Sequence, residues 1–514
     1  MITALPILIY VFLFTLFLFI FPNKSESPLR FQHKIPWLLP AFILFTQSFS
    51  PENLLFIAGL YAAEGPFALW LPISTFLGIG FVPLLFAPLW WSLKLKTDNQ
   101  FILVRYSGKA SRILFKFRAV YVGVFVAGLL LAFQIQAFSK TLTCFVGLED
   151  KIAVLCSGGI CLLLFYKNDF KVKAYTDWIH SLVIFVVFIL LIYFALKSSG
   201  SGIQPELDED KFDSAFYPNN SLDWIKWSIY CFVLWWSCTL FDGGGSQMQA
   251  FLTSKSLNGA RNSLLMSSLL GTFFFSVVLG LIILLVKPGV AVNASEGEIY
   301  FLSALRNISP EYFQGIVLLA FFLMFIGVSE SIISWGAAML REDIRFLNGK
   351  KSNKSGDYFA LLIITIVGIL FALNADSIQT LVKFFLSIGA GVAPVFFLRW
   401  FWMRINAWAQ LSAMISSCLY AILFDSVYDS YPNILIFSFS GCYEVKIVWV
   451  TILTTLTWLI VMFVSGKDDE KTLGIFRAIT PKKKELVKII LASVLIGVCA
   501  VVLIVLSLHL LFSV

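Results

Sequence analysis

The chain has 514 residues, of which 59% are hydrophobic and 13% charged, with 53 phenylalanines and a formal net charge of +8. No soluble domain has that balance, which excludes a soluble enzyme and leaves an all-α polytopic membrane protein. The basic residues lie in short loops between apolar runs, so the positive charge is not a nucleic-acid footprint.

Apolar runs bounded by polar clusters predict about 14 transmembrane helices. They fall near 3–21, 36–61, 66–93, 112–145, 149–166, 173–196, 223–241, 262–287, 310–340, 357–378, 379–402, 404–425, 445–465 and 485–512. The first lacks a basic flank and a small-residue cleavage site, so it reads as an uncleaved span rather than a signal peptide.

The second is the most informative, because its middle reads Thr46-Gln47-Ser48-Phe49-Ser50-Pro51-Glu52-Asn53. Pro51 removes one amide and crowds the carbonyl one turn back, so the helix should break there. A carboxylate at mid-depth costs about 2.5–3.5 kcal/mol on insertion scales. Such a segment persists where the break lines a cavity inside the protein. The alternative is a Pro-kinked structural helix with Glu52 near one water face. On the cavity reading Gln47, Ser50, Glu52 and Asn53 are candidate substrate contacts.

Three further polar clusters follow along the chain. In the fourth span Gln134 and Gln136 either bond a polar substrate, with Gln136 the candidate contact, or join helices. Trp235 and Trp236 precede Asp242-Gly243-Gly244-Gly245, where three glycines should bend the chain. The paired rings either stack on a ring-shaped substrate or serve packing. Glu330 then lies mid-span within Gly327-Val328-Ser329-Glu330-Ser331, with no other acid or base between Gln314 and Arg341. It could coordinate a cation, carry a proton, or pair with a hidden Lys or Arg.

Loops at 94–118, 341–356 and 466–488 hold half of the 38 Lys and Arg, and placing them on the cytoplasmic side puts both termini outside and the acidic loop Glu206 to Asp210 outside as well. No loop is long enough for a soluble domain. None of the three histidines is read as part of a Cys/Ser/Asp catalytic constellation, the eight cysteines have no metal or redox spacing, and no phosphate-binding glycine loop of the nucleotide-hydrolase type is present. The chain is not expected to be an enzyme.

Several of these segments resemble the sodium/solute symporter family. They are FTQSFSPENLLFIAGLYAAEG at 45–65, YTDWIHSLVIF at 175–185, DGGGSQMQAFLTSKSLNGAR at 242–261 and WFWMRINAWAQLSAM at 400–414. The resemblance runs from about Trp37 to Ser417. It implies a leucine-transporter-type fold of two inverted five-helix repeats, with substrate bound at mid-membrane between two broken helices. It also implies a coupling ion near Thr46, Phe49, Gly327 and Val328, with Asp177, Glu330 and Ser331 close by. The family's two sodium-binding serines fall on Gly327 and Val328, which have no side-chain oxygen. That departure predicts weak sodium dependence or none. The inner-loop Arg of the family is Ala250, and the carboxylate typical of its sugar carriers is Pro72, which argues against hexose.

The sequence therefore predicts a first helix and loop (1–35), a first repeat (36–196), an outer acidic loop (197–222), a second repeat (223–402) and about three C-terminal helices (403–514). The expected function is import of a small polar organic solute across a bacterial cytoplasmic membrane, by a monomer or weak homo-oligomer in contact with lipid and solute. The coupling ion is either sodium at Thr46, Phe49 and Glu330, or a proton. The alternatives are a proton-coupled or uncoupled carrier using Glu330, and a non-transporting sensor or accessory protein on the same fold.

Overall fold

The computed structural model describes residues 5–11, 34–164, 170–198, 209–237, 241–340, 355–430 and 443–512. Most of the first predicted span, the acidic loop Glu206 to Asp208 and most of the loop 341–356 lie outside the described residues. Among the described residues the chain is helical, and the one β feature is an isolated bridge between Ile35 and Ser254.

The second predicted span is two helices, α1 (Leu38–Ser48) and α2 (Pro51–Glu64), as the sequence led us to expect. Phe49 and Ser50 between them are extended, with φ/ψ of −114/106° and −127/155°. Pro51 takes the first position of α2, where its missing N–H would have had no partner anyway. Next come α3 (Pro66–Leu93), α4 (Gly108–Val146), α5 (Asp150–Leu164) and α6 (Phe170–Ser198). Single π-helical segments, Val82–Phe86 and Tyr121–Val126, interrupt α3 and α4.

The second half holds α7 (Ser221–Phe232), α8 (Leu257–Leu285), α9 (Ala294–Ile308), α10 (Glu311–Ala338), α11 (Ser355–Leu373) and α12 (Ile378–Leu398). Then follow α13 (Ala407–Ser430), α14 (Tyr443–Val464) and α15 (Lys483–Phe512). Side-chain caps fix several starts. Asn220, Ser256, Asn293 and Ser377 each accept the backbone N–H three residues on. Nine helices among the described residues are long and apolar enough to cross a membrane. On α15 Leu491, Leu495, Leu503 and Leu510 are each more than half exposed, the apolar surface expected against lipid.

Two features depart from the sequence reading. The predicted span 223–241 is a helix only to Phe232, then one 3-10 turn at Leu234–Trp236. The chain therefore breaks before the glycines, although Gly243 and Gly245 do take positive φ (72° each). Between α8 and α10 the sequence suggested only loop, yet α9 packs there against α2. Its charges keep its hydropathy low, while its polar and apolar faces give it an amphipathic helix's pattern.

Helices close in where small residues meet. A Cβ on Gly128 of α4 would lie 2.4 Å from Val367 of α11, and one on Gly368 would lie 3.3 Å from the Gly128 carbonyl. Gly389 of α12 approaches the 3-10 turn more closely still, since a Cβ there would stand 1.6 Å from the Ser237 carbonyl oxygen.

Candidate functional site

The α1–α2 break faces a cavity of about 440 Å³. Ser48, Phe49, Glu52 and Asn53 line it from the break, Ser267 and Ser268 from α8, and Phe133 and Phe385 from α4 and α12. Most of the lining is apolar. Glu52 is the one charged side chain among the described lining residues. Its Oε2 accepts a hydrogen bond from Gln134 Nε2 at 2.7 Å. The Asn53 amide donates to the Ser48 carbonyl and the Ser50 hydroxyl, both at 3.2 Å, and so holds the two ends of the break together.

The other proposed substrate contacts sit elsewhere. Gln136 donates to the Ala375 carbonyl at 3.0 Å and ties α4 to the turn between α11 and α12. Gln47 is half-buried beside the break, outside the lining. Trp235 packs on Phe81 and Phe241 at ring separations of 5.2 and 5.1 Å, and Trp236 lies beside it. Neither Trp lines the cavity. Gln134, the alternative to Gln136 in the sequence, is the one that reaches the break, while Ser267 and Ser268 were not singled out as contacts by the sequence. Their signal was slight, because polar residues at helical spacing also serve packing.

A second polar cluster lies where α1, α6 and α10 meet. Thr46 stands beside Gly327, whose Cβ, if present, would be 3.5 Å from Thr46 Cβ and 3.9 Å from Asp177 Oδ1. The structure thus brings together Thr46, Gly327 and Asp177. It also supplies Lys173, the first residue of the predicted span 173–196, which the sequence reading did not single out. The Lys173 ammonium lies 3.0 Å from the Gly327 carbonyl oxygen, 3.0 Å from Asp177 Oδ2 and 3.4 Å from Glu330 Oε2. The hidden cation that Glu330 could pair with is Lys173. The Ser331 hydroxyl donates to the same Gly327 carbonyl at 3.0 Å. Val328 is buried and apolar, and the Phe49 ring stacks on Phe45 and meets Phe274 edge-on. Behind Asp177, His180 lies 3.7 Å away and contacts the Tyr10 hydroxyl at 2.7 Å.

A third network closes the face that carries the basic loop 94–118. Asp242 accepts from Arg399 at 2.6 Å and from the Trp400 indole at 3.0 Å, while its carbonyl accepts from Trp90 at 2.7 Å. Arg105 donates to the Arg399 carbonyl at 2.7 Å, and Arg118 pairs with Asp98 at 2.5 Å.

The family model described as the sodium:solute symporter family matches residues 32–417. The osmoregulated proline transporter OpuE of Bacillus subtilis (strain 168) is 22% identical over 316 residues, 57% of this chain. The chain spans 63% of the length of that relative. A solved Na+-coupled sialic acid symporter, in a substrate-bound outward-open state, shares the fold at a TM-score of 0.61 and 14% identity. That likeness covers 87% of this chain and 94% of the other.

Proposed function

We propose that this chain, which belongs to the sodium:solute symporter family, is a secondary transporter that imports a small organic solute through the cavity at the α1–α2 break. One observation carries the reading. Among its described lining residues the cavity is apolar apart from a few hydroxyl and amide groups and a single carboxylate, Glu52, held in place by Gln134. A carboxylate facing an apolar cavity needs a partner that offers charge and donors. The solute is accordingly one with an ammonium or guanidinium head and a compact apolar body.

The remaining features follow the sequence reading. They are about 14 spans with two inverted repeats at 36–196 and 223–402, both termini outside a bacterial cytoplasmic membrane, and a monomer or weak homo-oligomer. Transport proceeds by one bundle rocking against the other around the breaks.

Uptake into proteoliposomes of matched cationic, neutral and anionic solutes tests this. Cationic members should be taken up saturably. Glu52→Gln keeps the shape and removes the charge, and a hydrogen bond to a charged group is worth about 1.5–3 kcal/mol. Uptake at low solute should therefore fall about 10- to 150-fold in that variant. Preference for anions, or an unchanged rate in Glu52→Gln, would overturn the assignment. Saturable solute binding without uptake would favour the sensor reading.

A further inference from the structure

We propose that the Lys173 ammonium is a tethered cation that fills the cation position between α1, α6 and α10, so that this carrier works without sodium. The inference rests on the transport reading above and concerns the cation rather than the solute. A sodium ion does not fit the groups present. A hard cation needs about five or six oxygen ligands, a preference extended here from the hard divalent ions. Gly327 and Val328 bring no side-chain oxygen to the position, and Ser331 turns its hydroxyl to the Gly327 carbonyl. The Thr46 hydroxyl donates to the Ile43 carbonyl at 3.0 Å.

Lys173 fits instead. An ammonium has three N–H donors and no acceptor. Three oxygens surround it within 3.4 Å, from the Gly327 carbonyl, Asp177 and Glu330. The Lys173 side chain is 4% exposed and that of Asp177 1%, so the pair meets away from water, where Coulombic attraction is least screened. The contact also joins elements. Lys173 and Asp177 come from α6, the carbonyl and Glu330 from α10, and Thr46 of α1 borders the same spot. A mobile ion in this place would draw the three helices together when bound. Here a covalently held charge does so permanently.

Removing the ammonium would leave two carboxylates and a carbonyl oxygen around a vacated space, which are ligands a hard cation prefers. Lys173→Ala should therefore create the sodium site that the native chain lacks. The test uses the purified full-length chain, with no solute, in sodium chloride against choline chloride at equal ionic strength. The native protein should unfold at the same temperature in both. Lys173→Ala should unfold earlier in choline and recover by about 3–5 °C with saturating sodium, as expected for a ligand that binds only the folded state. If that variant is not recovered folded, Lys173→Ala with Glu330→Gln loses one charge of each sign but keeps the Asp177 carboxylate, the Gly327 carbonyl and an amide oxygen at 330, and it should show a smaller sodium response of the same sign.

Saturable sodium stabilisation of the native chain would overturn the proposal. So would a folded Lys173 variant that ignores sodium. Failure of the native chain to take up any solute would remove the transport reading alone, since these unfolding shifts involve no solute.

Discussion

Replacing Asp242 by alanine is expected to destabilise the protein by about 3–5 kcal/mol, the usual consequence of removing one partner from a buried ion pair. Both side chains of the Asp242–Arg399 pair are 2% exposed. Arg399 lies over the rings of Phe101 and Phe396, with its guanidinium 4.4 and 4.3 Å from their centroids. Without Asp242 the guanidinium keeps those rings and a 3.3 Å contact with Gln410, but no carboxylate. The Trp400 indole loses its acceptor at the same time. The folded, monodisperse fraction should fall sharply in size-exclusion profiles after mild heating. Asp242→Asn keeps an acceptor oxygen and should fall less. An Asp242→Ala protein as heat-resistant as the native chain would show that the rings alone carry Arg399.

Gly389→Val should abolish uptake and lower the amount of folded protein. A Cβ at Gly389 would stand 1.6 Å from the Ser237 carbonyl oxygen and 2.8 Å from its carbon. These are backbone atoms, so no side-chain rotation can relieve the clash, and only separation of α12 from the 3-10 turn would make room. Overpacking of ordinary cores costs about 1–3 kcal/mol, and a backbone clash belongs at the upper end or beyond. Gly159→Ala is the matched control, because a Cβ there meets nothing within 4 Å. Parallel uptake and abundance measurements decide the matter. Native behaviour of Gly389→Val would mean that α12 and the turn do not need this close approach.

The break in the second span was legible because Pro51 and Glu52 are each unfavourable in an unbroken lipid-facing helix, and together they require a cavity. The partner of Glu52 was harder to read. Gln134 and Gln136 are two residues apart, about 200° around a helix, and only the packing of α4 decides which one faces the break. Lys173 was missed because a lysine at the edge of an apolar run looks like a solvated flank. Its one local signal was Asp177 four residues on, the spacing of facing side chains on a helix. Trp235 and Trp236 drew attention by their size, but the early break at Val233 turns them into an aromatic cluster around Phe81 and Phe241. Helix α9 had a readable start, Asn293 followed by Glu296, and a charge content that hid it from a search for spans.

On the proposal above, an ammonium anchored to α6 would not itself be carried across the bilayer, so it would draw nothing from a sodium gradient. A solute with its own positive charge, as proposed, would bring its own driving force. Each such charge entering down 100 mV contributes about 2.3 kcal/mol, which corresponds to about a 40-fold concentration ratio. The cell's voltage would then set how far the cargo accumulates, and depolarisation would release it by the same route.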